Sequence, residues 1–497
     1  MKRKIFTVIF VLLLLGSVGL RIYKAHYTGI TYDESFTYSN FCGSVGRALT
    51  YYRNPNNNHV INSIFICLVG KLFGSYEHFI RIHSVIFSAV FSFSVAYIVC
   101  KTIRSDVLKI LLTSLVLLNW FVFDLSFLAR GYSIALAGCY AGLAGIVWLL
   151  TERIKYRYRF VPVMVIVLMN FFAMGSMLSS LFVMVSINAV FILLYSHRVF
   201  SDSPNRLRPA VLNIVGIGLL TIGSLLLLYK ELIGFIVKGE NTGDNSFALL
   251  MKQLLVDSMA GQGGKFTFFV YCVFVSCLVL SSVFIIYRLC KKNTDLGITF
   301  ESPAVFFVMV TLATILVMFV HRVVLKMPLG FMRNGVFLVP LLQISAVALL
   351  DICWGKLKNK AILTVMIRGC VIVVLVLLML VNLPSSHAVE VYNWAQQSLS
   401  APLLRRLKEI DPHRTWKIGL IQETQYCNLP LLYYRQFDHK FQVVYSGDWD
   451  VLILPETLKP EKTVFLDVQR FKKFNCFVCF NPRKTGVFAD STDSIKY

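Results

Sequence analysis

The chain has 497 residues, 57% of them hydrophobic and 15% charged, with a formal net charge of +23. That balance excludes an ordinary soluble domain and describes a protein that crosses a bilayer many times. It also turns the positive charge from a nucleic-acid signal into a question of orientation, because lysine and arginine collect in cytoplasmic loops.

The opening "MKRKIFTVIFVLLLLGSVGL" joins a basic start to an apolar run. No convincing small-x-small cleavage site follows and many further spans come after it, so it reads as a first membrane span near 5–21 rather than a removable signal. A long loop, 22–78, comes next and holds "GITYDESFTYSN" and "YYRNPNNNHV". It ends in 59–74, apolar but short of the roughly 20 residues that a span needs, and therefore expected as an interfacial or re-entrant helix. Further spans are predicted near 79–100, 107–126, 132–150, 160–176, 178–195, 210–230, 266–288, 303–321, 331–350 and 361–383, making eleven with the first.

Leaving 59–74 out of the count puts the basic clusters on one side. These are Lys2, Arg3 and Lys4; Lys101 and Arg104; Arg153, Lys155, Arg157 and Arg159; Arg198, Arg206 and Arg208; Arg288, Lys291 and Lys292; Lys356, Lys358 and Lys360. That side is the cytoplasm. The outer face then receives 22–78, turns around Arg130 and near 176, the loops 231–265 and 321–334, and the tail. The tail mixes a helical stretch ending in "LLRRLKEI" with strand-like "WKIGLIQ", "WDVLILP" and "CFVCF". The expected organisation is a transmembrane domain, 1–383, and a small α/β extracytoplasmic domain, 384–497.

Chemistry gathers on the outer side. Asp33 and Glu34 on the plain reading are two acids of a solvated turn. Asn58 and His59 stand in the same loop, Arg130 and Tyr132 at a span terminus with Asp124 below, and Arg322, Lys326 and Arg333 at another outer mouth. Ionisable groups near a membrane are costly, so their convergence points to a site. A carboxylate suits a base that deprotonates an attacking hydroxyl; arginine and lysine suit a phosphate whose charge grows as it leaves. The plainer alternatives are a snorkelling Arg130, asparagines 56–58 as helix caps, and flanking cations at span ends. Cys476 and Cys479 have redox-motif spacing but lack a thioredoxin-like βαβ setting; a disulfide to Cys427 or Cys42 is the alternative. No Asn-x-Ser/Thr site occurs, in keeping with a bacterial cytoplasmic (inner) membrane.

In order along the chain, "YDES", "NNNHVINSIFICLVGKLFG", "RIHSVIFSAVFSFSVAYIV" and "FLARGYSIALAG" resemble the membrane glycosyltransferases of the GT-C superfamily. The resemblance is to the glycosyltransferase family 39 type, which includes protein O-mannosyltransferases and lipid A aminoarabinose transferases. It covers roughly the first 200 residues and implies a GT-C bundle that inverts the anomeric centre of a sugar carried on polyprenyl phosphate. The acceptor is a glycan, lipid or protein, and nucleic acid is not a partner. By match Asp33 is the catalytic carboxylate with Glu34 beside it, and Arg130 and Arg333 meet the donor phosphate, with Arg322 and Lys326 as further cations. Tyr32, Asn58, His59 and Tyr132 are candidate substrate contacts. The family has His-Pro-Pro where His59-Val60-Ile61 stands here. No cofactor is required, and a divalent metal at Glu34 stays open. The rivals are a polyprenyl-linked glycan ligase or polymerase, which favours a large late outer loop, and a transporter, which predicts half-repeats and interrupted helices. Neither feature is expected from the sequence.

Overall fold

The computed structural model describes residues 2–49, 59–151, 160–202, 302–324, 335–356, 400–411, 413–420, 441–444, 450–455, 467–471 and 476–480, with isolated residues 223, 372, 373, 376, 427, 430 and 431. The spans expected near 210–230, 266–288 and 361–383 lie almost wholly outside these residues. The chain forms two compact units, one of 1–22, 48–65 and 81–384, the other of 23–47, 66–80 and 385–497.

The described residues up to Lys356 form helices, with 23–47 and 66–80 of this stretch belonging to the second unit. Helix α1 (Lys2–Tyr27) runs about 39 Å at 1.5 Å per residue, longer than the hydrocarbon layer. It shows Val8, Leu12 and Leu15 outward, as a lipid-facing helix does. Helices α2 (Tyr32–Phe41), α3 (Val45–Leu49), α4 (Val60–Phe73) and α5 (Glu77–Ile80) follow. At 14 residues, α4 is about 21 Å long, too short to span unaided. Then come α6 (Ile82–Thr102), α7 (Asp106–Leu117), α8 (Trp120–Phe127), α9 (Tyr132–Thr151), α10 (Phe160–Ser176) and α11 (Ser180–Asp202). Helix α12 (Pro303–Phe319) ends in a π-turn, Val320–Val324, and α13 (Leu338–Lys356) follows. Among the described residues, Lys4–Tyr27, Glu77–Thr102, Tyr132–Thr151 and Pro303–Val323 are long and apolar enough to cross a membrane.

Helix α9 is buried along most of its length and packs against α6 and α10. Small residues permit this: a Cβ on Gly138 would lie 2.5 Å from the Met169 carbonyl oxygen and 2.7 Å from the Ala173 Cβ. Close helix contact through glycine is the usual packing device where no hydrophobic driving force acts between helices.

One expectation fails here. The span near 107–126 is not continuous: α7 and α8 meet at 55°. Asn119 caps α8 by accepting from the Val122 N–H at 3.2 Å. The carbonyl freed at Leu117 is taken by Arg21, whose Nη2 donates at 2.9 Å, while its Nη1 reaches Ser17 O and its Nε the Ser126 hydroxyl. Its guanidinium also lies 4.6 Å from the Phe123 ring centroid. At its other end α7 is held by Asp351, whose carboxylate accepts from the Arg104 and Ser105 N–H groups.

In the second unit the tail forms helix α14 (Ser400–Ile410) and strands β1 (Trp416–Leu420), β2 (Phe441–Val444), β3 (Val451–Pro455), β4 (Asp467–Phe471) and β5 (Cys476–Phe480). The sheet order is β2-β1-β3-β5-β4. β1 lies parallel to β2 and β3, and β5 antiparallel to β3 and β4. Leu403 and Leu407 of α14 pack with Trp416, Ile418, Phe441, Val451 and Ile453 in one apolar core. Asp450 joins β1 to β3 by accepting from Lys417 N at 2.8 Å and from Arg414 Nη2 at 3.0 Å. The three expected strands form; β2 and β4 are additions that short mixed segments hid.

Arg21→Met keeps the apolar stem but strips the Leu117 carbonyl of its donor. An orphaned buried acceptor costs about 1–3 kcal/mol, so the purified variant melts below the parent in detergent. An unchanged melting temperature contradicts this account of the break.

Candidate functional site

The "TYDES" stretch is a helix start, not the loop expected. Thr31 is extended (φ −84°, ψ 163°) and its hydroxyl accepts from the Glu34 N–H at 3.3 Å. Glu34 Oε2 in turn accepts from the Thr31 N–H at 2.9 Å and from its hydroxyl at 3.1 Å. This reciprocal pair is a capping box, which satisfies amide groups that a helix start leaves bare. Hydroxyls bonded back to carbonyls tighten the turns behind it: Ser35 to Thr31 and Thr37 to Asp33. Asp33 and Glu34 are thus both buried in the first turn of α2, near the positive end of its dipole. Tyr32 is half-buried, its ring 6.3 Å from Phe36. Tyr38 ties α2 to the residues after α4 by donating to the Ser75 hydroxyl at 2.6 Å. All of these belong to the second unit.

In the first unit three of the other expected residues, His59, Arg130 and Tyr132, meet at a corner of irregular backbone between α8 and α9. The Arg130 N–H folds back on Leu128 O at 2.7 Å. Asn62 of α4 donates to Ala129 O at 3.0 Å. Its Oδ1 must then accept from His83 of α6, whose Nε2 lies at 2.8 Å and therefore carries the proton. His83 also stacks on Phe65 at 5.6 Å. His59 closes the other side: its Nδ1 is 2.6 Å from Ser176 O, and since a carbonyl only accepts, Nδ1 is the protonated nitrogen. The His59 and Tyr132 ring centroids are 5.8 Å apart. Gly131 makes the approach feasible, because a Cβ there would overlap the Ser176 carbonyl oxygen and lie 3.0 Å from His59 Nδ1.

Arg130 is fully buried at this corner, at 1% exposure. A snorkelling arginine keeps its head in water, so the plain alternative does not describe it. Arg81 is equally buried, its guanidinium 5.9 Å from the Phe127 ring centroid. Asp124, expected as a partner of Arg130 or a group facing the bundle, is buried and exerts its charge on Arg21. Arg322 stands half-buried in the π-turn after α12. Asn58, Lys326 and Arg333 lie outside the described residues. Asn62, His83, Arg81, Gly131 and Ser176 were not singled out from sequence. The signal for two of them was present: Asn62 in "HVINSIF" and His83 in "RIHSVIF" are polar groups inside apolar helices, which seldom occur without a task. No cluster of three or more His, Cys, Asp or Glu side chains able to hold a metal ion occurs among the described residues.

No protein-family model matches the chain, and no curated protein matches it. Solved structures do. ArnT from Cupriavidus metallidurans in the apo state aligns over 96% of this chain and 98% of its own, at 12% identity and a TM-score of 0.53. The same protein bound to undecaprenyl phosphate aligns over 95% and 97%, at 11% identity and a TM-score of 0.49. An Archaeoglobus fulgidus oligosaccharyltransferase, in complex with zinc and sulfate, aligns over 89% of this chain and 62% of that one, at 12% identity and 0.47. The first of these shows a shared fold: the chain, with its helical membrane portion and small C-terminal sheet, is folded like ArnT. The other two fall below a TM-score of 0.5 and carry no weight.

Gly131→Ala forces the corner apart, and overpacking of this kind costs about 1–3 kcal/mol. Its melting temperature drops relative to the parent, whereas Gly16→Ala and Gly19→Ala, with nothing within 4 Å of the added carbon, melt at or above it. Equal melting of all three removes the close contact with Ser176.

Proposed function

We propose that this protein is an inverting glycosyltransferase that moves a sugar from polyprenyl phosphate to an acceptor hydroxyl at the outer face of a bacterial cytoplasmic membrane. The observation that carries the reading is the end-to-end likeness to the ArnT fold, on a chain whose "YDES" and "FLARGY" stretches already resemble that superfamily.

Asp33 is the general base. It takes the proton of the acceptor hydroxyl, whose oxygen attacks the anomeric carbon from the face opposite the phosphate. The bond from that carbon to the phosphate oxygen breaks, and the lipid phosphate leaves with the electron pair. Arg130 compensates the charge that grows there, the kind of fixed cation a departing phosphate needs. Supporting this role is its burial beside a corner that Asn62, His59 and His83 hold rigid.

Glu34 takes a different part from its neighbour. Its carboxylate is engaged in the capping box, so it is a positioning residue that sets the turn carrying Asp33. The outer placement of the first loop draws support from the grouping of 23–47 and 66–80 with the tail in one compact unit. The eleven-span reading puts 22–78 and the tail on the same side.

In membranes supplied with radiolabelled polyprenyl-phosphate sugars, Asp33→Asn lowers transfer by about 10²-fold or more, the scale of general-base catalysis. Glu34→Gln, which a capping box accepts, keeps most of the activity, while Glu34→Ala loses about 1 kcal/mol of local stability and some turnover with it. Arg130→Ala slows transfer without unfolding the protein. Full turnover by Asp33→Asn removes it as base; failure of the parent to consume any such donor removes the reaction itself.

A further inference from the structure

Two cysteines of the second unit stand in contact where no role has been assigned to them. Cys42 is the C-cap residue of α2, its N–H bonded to Tyr38 O. Cys67 lies on α4, buried, with its Sγ 3.4 Å from Phe41 O, the carbonyl next to Cys42. The two thiols are close enough to act on one another's titration, and Cys42 Sγ lies 3.8 Å from Thr37 O. Both are free thiols. We propose that Cys42 and Cys67 form a reversible disulfide that staples the end of α2 to α4 when the first loop meets an oxidising medium.

The chemistry favours a definite order. Cys42 is the half-exposed sulfur and Cys67 the buried one. A small disulfide oxidant is therefore attacked first by Cys42, which forms a mixed disulfide and releases one thiol. Cys67 then attacks the Cys42 sulfur and expels the second thiol. Two protein thiols lose two electrons and two protons, and one oxidant disulfide becomes two thiols. Both steps run through a thiolate: Cys42, the more accessible of the two, gives up its proton as it attacks the oxidant, and Cys67 gives up its own before it attacks the Cys42 sulfur. The pairing bears on the proposed reaction because α2 carries Asp33 in its first turn. The contact between the two cysteines does not depend on that reaction.

The test uses the full chain in detergent, incubated with oxidised glutathione, alkylated, digested and weighed. A Cys42–Cys67 linked peptide, two hydrogens lighter than the sum of its parts and released by dithiothreitol, supports the staple. In Cys67→Ser, a glutathione adduct accumulates on Cys42 because the resolving thiol is gone; in Cys42→Ser, Cys67 is recovered alkylated. Recovery of both cysteines alkylated in the oxidised parent overturns the proposal, as does a link from either one to Cys427 or another partner.

Discussion

A backbone carbonyl or amide released from a helix cannot stay bare inside a bilayer, where no water is at hand to bond it. Most of the particular side chains of this protein answer that constraint. The chain leaves regular helix between α7 and α8 and again between α8 and α9, and it turns between α10 and α11. At each place a side chain arrives from a distant part of the sequence. Arg21 reaches Leu117 O across 96 positions, Asn62 reaches Ala129 O across 67, and His59 reaches Ser176 O across 117. These bonds make irregular backbone tolerable, and they set its geometry.

The consequence is a division among buried cations. Arg21 distributes three nitrogens over Ser17, Leu117 and Ser126 and lies on Phe123, so its charge is committed to holding the break. That commitment also bears on the transporter alternative. In interrupted-helix transporters the freed backbone groups coordinate the cargo; here the freed carbonyl is already occupied by the protein's own guanidinium. The break resembles the transporter device in shape and differs from it in chemistry.

Much of the fold was legible because lipid imposes it. Length and apolarity gave α1, α6, α9, α10 and α12, and the shortness of 59–74 set α4 apart. Alternating apolar residues gave β1, β3 and β5. The break at Leu118–Asn119 was hidden, since "LLTSLVLLNWFVFDLSF" is mostly apolar and at the break itself Asn119, an ordinary cap residue, is the local mark. The start of α2 was hidden for the opposite reason: its Tyr, Ser, Thr and Asp content favours turns, yet the Thr31–Glu34 capping box and hydroxyls bonded back along the helix override that preference. Of the site, Arg130 and His59 were legible as ionisable groups at helix ends. Gly131 was not, because the need for a missing side chain arises only when Ser176 comes in from another helix.

The adjacent acids proposed to begin the chemistry gain a sharper meaning from this. A base must be held in one orientation, and so must the turn that carries it. Placing a second acid one residue later, with a threonine two residues before the first, makes the helix start self-supporting: Glu34 bonds Thr31 from both sides while Tyr32 and Asp33 occupy the two positions between them. The pair therefore need not be read as two catalytic carboxylates sharing a proton. One acid builds the turn, and the other is presented by it. Under the proposed function, the "T-Y-D-E" order accounts for both acids with one taking part in the chemistry, in a chain that carries only 26 acidic residues in 497.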